Sequence, residues 1–444
     1  VSADDITVEN GATFTISGGT FTLNNGAAAI DLQADGIVTW SGGTFTTTGT
    51  GIAFASTGIY NHNVNGGTVP AATWHASSQV NITGMMGTAP SGINQAFGNF
   101  RWACGSQSTY LNINDDNFSV AGTLTMDNSG SSNLAIVGST TTNHTNTINN
   151  LTINAGTLVV NYFTSTAGGF STLIVNGNIT ISGASSILDF LGGAGDPVSP
   201  VDYPGYISLK GNLTVTSGSF YCSNIQTNAY GQIDFTGTSD GVTGVQSVSI
   251  ATGNTSNRGV VDFYVSSGAY VKLTSAFRFY YDDYFEVEGT LNTQGNTIAD
   301  GSGATLTSSF VTYSGSKFIT SVSTGITAST ASGAVQLTTR TYSSESDYEF
   351  QGANTGNFAT ITLPTAATVR NLTINNASGV NMSSSTTVTG ALNLTAGVFT
   401  VPTGNTLTIA GTVPSPVGTI TATAATSTVA LTNNGFTLNA SLFT

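Results

Sequence analysis

Ser17-Gly18-Gly19-Thr20-Phe21-Thr22 returns unchanged as Ser41-Gly42-Gly43-Thr44-Phe45-Thr46, a shift of 24 residues. Just ahead of the first copy, Thr13-Phe14-Thr15-Ile16 alternates polar and apolar side chains, the period of a strand with one buried face. Asn371-Leu372-Thr373-Ile374 and Thr406-Leu407-Thr408-Ile409 show the same alternation far downstream. Each run is short and ends at Gly, Asn or Ser, which permit tight turns. No window longer than about ten residues carries the 3.6-residue period of a helix. The chain therefore reads as all-β.

Further near-copies follow. Asn150-Leu151-Thr152-Ile153-Asn154 returns as Asn371 to Asn375, and Gly177-Asn178-Ile179-Thr180-Ile181 is echoed by Gly211-Asn212-Leu213-Thr214-Val215. Gly122-Thr123-Leu124, Gly156-Thr157-Leu158, Gly289-Thr290-Leu291 and Gly390-Ala391-Leu392 open strands in one way. Imperfect coils of roughly 15 to 25 residues are the mark of a β-solenoid. Each coil buries its inward apolar row against the next, so outward Thr, Ser and Asn need no ion pairs. The expected architecture is one continuous, elongated solenoid over residues 1–444, a right-handed parallel β-helix of about 20 coils. Propeller blades repeat at about 40 to 50 residues. Tandem β-sandwiches need a period near 100 residues, and the sequence shows neither.

Composition narrows the partners. Only 7% of the 444 residues are charged, 39% are hydrophobic and 54 are Gly. Roughly one residue in six is Thr, far above ordinary usage. No run approaches the roughly 18 apolar residues of a spanning helix, so no membrane insertion is expected. With 23 Phe and 15 Tyr the chain is too rich in aromatics for disorder. Eight basic residues face 22 acidic ones, for a net charge of −14, and the first cation is Arg101. Nucleic acid is excluded as a partner, because phosphate binding needs clustered cations. Cys104 and Cys222 make no disulfide framework, and in a simple stack they lie too far apart along the axis to pair. Val1 reads as the start of a segment of a larger protein, with no initiator Met or basic leader ahead of it.

Three stretches break the repeat. Residues 60–118 hold two of the three Trp and two of the three His, and residues 189–206 hold Pro197, Pro200 and Pro204; both read as irregular insertions. Residues 277–288 are dense in aromatics and acids.

The first break carries a resemblance. It runs Tyr60-Asn61-His62-Asn63, Gly66-Gly67, Pro70-Ala71-Ala72-Thr73-Trp74, Ile82-Thr83-Gly84, Gln95-Ala96-Phe97-Gly98-Asn99-Phe100 and Trp102-Ala103-Cys104. A second block comprises Arg340-Thr341-Tyr342, Tyr348-Glu349-Phe350-Gln351-Gly352, Leu363-Pro364 and Val369 to Asn376. With Gly231 to Phe235, Gln246 and Ser267-Gly268-Ala269, these stretches resemble the long repetitive surface proteins of Bacteroidota exported by the type IX secretion system. The resemblance implies an extracellular or surface-attached β-helical stalk with an adhesive role and no catalytic residues. Relatives often carry Cys where Val80 stands, near the position of Cys104, so their local disulfide does not transfer.

β-Solenoids also host polysaccharide lyases and hydrolases, so paired acids count. Asp115-Asp116 reads as a solvated turn. Along 277–288, Arg278, Tyr280, Asp282, Tyr284, Glu286 and Glu288 alternate with Phe277, Phe279, Tyr281, Asp283, Phe285 and Val287. One face is then polar, acidic and tyrosine-bearing, and the other belongs to the core. Arg278, Tyr280, Asp282, Tyr284 and Glu286 are the candidate ligand contacts, because Tyr stacks on sugar rings and carboxylates bind hydroxyls. The competing account has the acids protecting an edge strand. Gly192-Gly193-Ala194-Gly195-Asp196 is similar to a calcium-binding β-roll nonapeptide, with the Asp one place early and no second copy. Asp189, Asp196 and Asp202 are the residues a calcium ion would use there, and no cofactor is otherwise expected. His62, His75 and His144 lack metal-site spacing and read as surface or turn residues. The Asn-x-Thr sequons at Asn81, Asn150, Asn212 and Asn371 fall out of the strand pattern.

The expected role is a structural or adhesive segment of a secreted cell-surface protein or extracellular fibre, located outside the cell and not an enzyme. Its partners would be other copies, neighbouring segments of a long fibre, surface polysaccharide or another cell. A polysaccharide lyase or hydrolase is the first alternative and needs a cation poised near the acids. An ice-binding solenoid is the second and needs a regular Thr ladder.

Overall fold

In the computed structural model the described residues are 1–48, 51–113, 116–138, 142–163, 169–193, 205–224, 230–237, 245–250, 260–279, 282–301, 308–327, 329–352, 368–433 and 442–443. They form an all-β chain of parallel sheets stacked as a β-solenoid of about 15 turns. Among them no helix is long and apolar enough to cross a membrane. The chain divides into two compact units. One comprises Val1–Ile233 with Arg258–Val261, the other Asp234–Asn257 with Asp262–Thr444.

The first unit is organised by rows running through nine successive strands. Outward side chains in register are Thr15, Thr39, Asn61, Asn81, Arg101, Thr125, Thr152, Thr180 and Thr214. On one side of that row stands the inward series Phe14, Val38, Tyr60, Val80, Phe100, Leu124, Leu151, Ile179 and Leu213. From Val38 onward every member is buried. The period-two pattern of the sequence is this alternation. The Ser17 repeat is also in register, with Thr20 opposite Thr44 and Phe21 opposite Phe45.

Turn size departs from expectation in part. Register partners lie 20 residues apart from Asn61 to Asn81, 24 from Thr15 to Thr39 and 34 from Thr180 to Thr214. The second unit spans a similar range, 19 from Val369 to Val388 and 30 from Ile319 to Glu349. Many turns fall within the expected 15- to 25-residue coils and others exceed them, so the turns are fewer than 20 while the strands keep their rows. Across residues 60–118 the strands Ile59–His62, Gln79–Ile82 and Asn99–Ala103 continue the rows at 20-residue intervals. Their unusual composition reflects a core filled by Tyr60, Phe100 and Trp102. Of 189–206, residues 189–193 close the strand Ser186–Gly193, residues 205 and 206 open Gly205–Leu209, and 194–204 lie outside the described residues.

The recurring Gly-Asn-Leu-Thr signature has a physical origin at the corners. Asn150 Oδ1 accepts the backbone N–H of Asn178 at 2.9 Å, and Asn178 Oδ1 accepts that of Asn212 at 2.8 Å. The same bond joins Asn99 Oδ1 to Thr123 N–H and Asn371 Oδ1 to Ala391 N–H. Each asparagine thus ties its turn to the next. The residue ahead of the receiving N–H must approach that side chain closely: a Cβ on Gly177 would stand 2.3 Å from Asn150 Oδ1. Asn178→Ala is expected to destabilise the first unit by about 1 kcal/mol, the net worth of one such bond. Urea unfolding would show a lower midpoint with an unchanged slope.

Candidate functional site

The alternation read in 277–288 holds at every described position. Phe277, Phe279, Asp283, Phe285 and Val287 are buried, while Arg278, Glu286 and Glu288 are half-buried and Asp282 and Tyr284 exposed. The segment is nevertheless two strands, not one. Phe277–Phe279 pairs with Ile298–Asp300, whereas Tyr284–Val287 pairs with Phe263–Val265 on one side and Ser309–Thr312 on the other. A corner separates them, so Arg278 stands on a different sheet from Tyr284 and Glu286. Its guanidinium donates to Phe277 O at 3.2 Å and Thr297 Oγ1 at 3.0 Å. Tyr280 lies outside the described residues.

Around Tyr284 and Glu286 the sheet assembles two partners that reading along the chain misses. Glu286 is the register partner of Tyr264, and Tyr313 follows Thr312, the register partner of Val287. The Tyr313 hydroxyl donates to Glu286 Oε1, and the Tyr264 hydroxyl is influenced by the Glu288 carboxylate. A diagonal tyrosine–carboxylate pair therefore sits on the outer face, with Tyr264 on the other side of the strand. The bond to Glu286, with partial burial, pushes the Tyr313 hydroxyl up to about 12. Burial and the Glu288 carboxylate push Tyr264 higher still. Both hydroxyls stay protonated at neutral pH, and that of Tyr313 keeps the Glu286 carboxylate in place. Tyr284 and Tyr313 remain 42% and 38% exposed, so two aromatic faces flank a fixed carboxylate. Intervals of 22 and 27 residues link Tyr264, Glu286 and Tyr313. A strand-by-strand reading does not find them.

The remaining candidates have structural partners. Asp189 is buried and accepts from the Ser223 N–H at 2.9 Å and from its hydroxyl. Asp196, Asp202 and Asp115 lie outside the described residues. Asp116 accepts from Thr145 N–H at 3.1 Å and bonds His144 Nδ1 at 2.9 Å. Among the described residues no group of three or more His, Cys, Asp and Glu is placed to hold a metal ion. The sequon residue Asn81 donates to Asn61 Oδ1 at 2.8 Å, and Asn150 and Asn371 belong to the corner ladder. Cys104 and Cys222 are both buried thiols outside any disulfide. His75 sits in a turn, its Nδ1 accepting from Ser77 N–H at 3.1 Å. His62 corrects the expectation of a surface residue: it is a core residue, 0% exposed, in the inward row between Trp40 and Ile82.

What this arrangement offers chemically is a rigid face with aromatic surface and hydrogen-bond acceptors. No family model matches the chain, and no curated protein or solved structure matches it.

Proposed function

We propose that this chain is a non-catalytic, adhesive segment of a secreted cell-surface protein or extracellular fibre, of the kind that the Bacteroidota resemblance implies. The observation that carries the reading is the outer face of the second unit, where exposed Tyr284 and Tyr313 flank Glu286. Flat apolar rings beside a fixed carboxylate suit a sugar ring, which presents C–H groups to the aromatic face and hydroxyls to the oxygens. The scaffold of the first unit is in keeping with the same reading. Outward rows of Thr and Asn bond to one another, as Asn61 Nδ2 does to Thr39 Oγ1 at 3.1 Å, and present a nearly uncharged surface. Arg278, the cation that a lyase reading would recruit, is held by Phe277 O and Thr297 on another sheet.

Binding of the purified chain to immobilised neutral and acidic polysaccharides tests the proposal. Changing Tyr284 and Tyr313 together to Ala should weaken binding at least about tenfold, the loss of one well-packed aromatic anchor. The melting temperature should stay within a few degrees, since both rings are largely outside the core. Undiminished binding by the double variant would remove the face from the adhesive reading. Cleavage of a polysaccharide by the purified chain would replace that reading with the lyase one.

A further inference from the structure

Between Gly36 and Phe100 the sequence contains no Asp, Glu, Lys or Arg. The strands Ile37–Thr47, Ile59–His62 and Gln79–Ile82 therefore carry histidine as the group that responds to acid, and the Asp31 carboxylate meets the chain after the first of them at Gly51, whose N–H it accepts at 3.3 Å. Two histidines fall in this window, His75 in a turn and His62 in the core.

The bonds of His62 fix its tautomer. Nε2 lies 2.7 Å from the carbonyl oxygen of Gly66, which only accepts, so Nε2 carries the proton. Nδ1 then presents a lone pair and accepts from the Tyr60 hydroxyl at 3.2 Å. The Trp40 ring packs edge-on at 5.1 Å. The neutral ring thereby holds down the corner that follows it. That corner turns through Gly66 and Gly67, both with positive φ, and Gly67 packs so closely on Trp40 that a Cβ would stand 2.6 Å from its ring. Asn65 in the same corner accepts the backbone N–H groups of Met86, Gly87 and Thr88 at 2.9 to 3.1 Å. One histidine thus anchors one corner directly and the next through Asn65.

We propose that His62 is an acid-operated latch: neutral, it fastens the 63–68 corner and through it residues 86–88, and on taking up a proton it releases both. A proton on Nδ1 removes the acceptor of the Tyr60 hydroxyl and places a charge beside Trp40, with no carboxylate in the surrounding strands to balance it. Burial lowers the affinity of the folded ring for that proton, despite the bond to Gly66. The other titratable groups nearby do not change charge in this range. Burial raises the Tyr60 hydroxyl far above neutrality, and the Cys104 thiol, bonded to Ile82 O, is pushed up to about 11.

The sign follows from the proton balance. Above about pH 6.5 both the closed and the open corner hold a neutral ring, and closure is independent of pH. Below it the open state takes up the proton and the closed state does not. The opening equilibrium therefore rises by up to about tenfold per pH unit until the depressed value of the closed state is reached.

Amide hydrogen exchange of the full chain between pH 7.5 and 5, corrected for intrinsic rates, is the test. Protection should fall at residues 64–69 and 86–88 while residues 134–137 keep theirs. His62→Gln should abolish that pH dependence, and His75→Gln should retain it. If His62→Gln does not fold, the ring resonances of His62 in the unaltered chain decide: they should titrate well below 6.5, together with the loss of protection. Protection that is unchanged down to pH 5, or that falls equally without His62, overturns the latch.

Discussion

Phe285→Ala should cost the second unit about 3–5 kcal/mol, the range for removing a fully buried phenylalanine. Phe285 is 0% exposed and stands at the centre of an aromatic stack. Its ring centroid lies 5.3 Å from that of Phe277, 6.0 Å from Phe263, 6.2 Å from Phe310 and 6.4 Å from Phe279. These rings come from four strands and from more than one turn, so no single neighbour can swing in to fill the space. The upper half of the range is expected, because the cost of a cavity grows with how little its walls relax. Calorimetry should show the transition of the second unit lowered by roughly 10 °C, at a few degrees per kcal/mol for a domain of this size. A shift of only a degree or two would mean that the stack repacks and that Phe285 is no keystone.

Gly411→Ala should be comparably severe for a different reason. An added Cβ would stand 1.5 Å from the carbonyl oxygen of Gly390 and 2.4 Å from its carbonyl carbon. Both are backbone atoms of the adjacent turn, and that oxygen accepts the Thr412 N–H at 2.8 Å. One methyl group must therefore separate two turns or break the bond between them, at about 3 kcal/mol, the upper end for overpacking. Denaturant unfolding of the variant checks this. A loss below about 1 kcal/mol would show that the corner yields.

Fold class was legible because it rests on a period. Thr, Asn and Ser alternating with Val, Ile and Leu leave no choice but half-buried strands, and copies 24 and 34 residues apart mark successive turns. Turn size was less legible, since Gly and Asn occur both within corners and in the excursions that lengthen them. The core position of His62 was hidden by chemistry: a histidine in a row of Trp and Ile breaks the apolar pattern that identifies the row. The candidate face was half visible. Alternation placed Tyr284 and Glu286 outward, but a strand reading cannot show that a corner intervenes after Phe279. Nor can it bring Tyr264 and Tyr313 alongside, because register across turns is set by three-dimensional closure and not by local sequence.

Row alignment makes the length of this chain a quantised property. Ile59 and Gln79 occupy equivalent places in successive rows, and Gly58 and Ser78 precede them alike. Excising the interval between one residue and its register partner joins ends that already superimpose, and every remaining row keeps its inward and outward faces. Removing a single residue inside a strand instead turns the apolar set toward water from that point to the next corner. A protein built this way grows or shrinks by whole turns at little steric cost, while most adjustments of one residue are absorbed only where the chain leaves the rows.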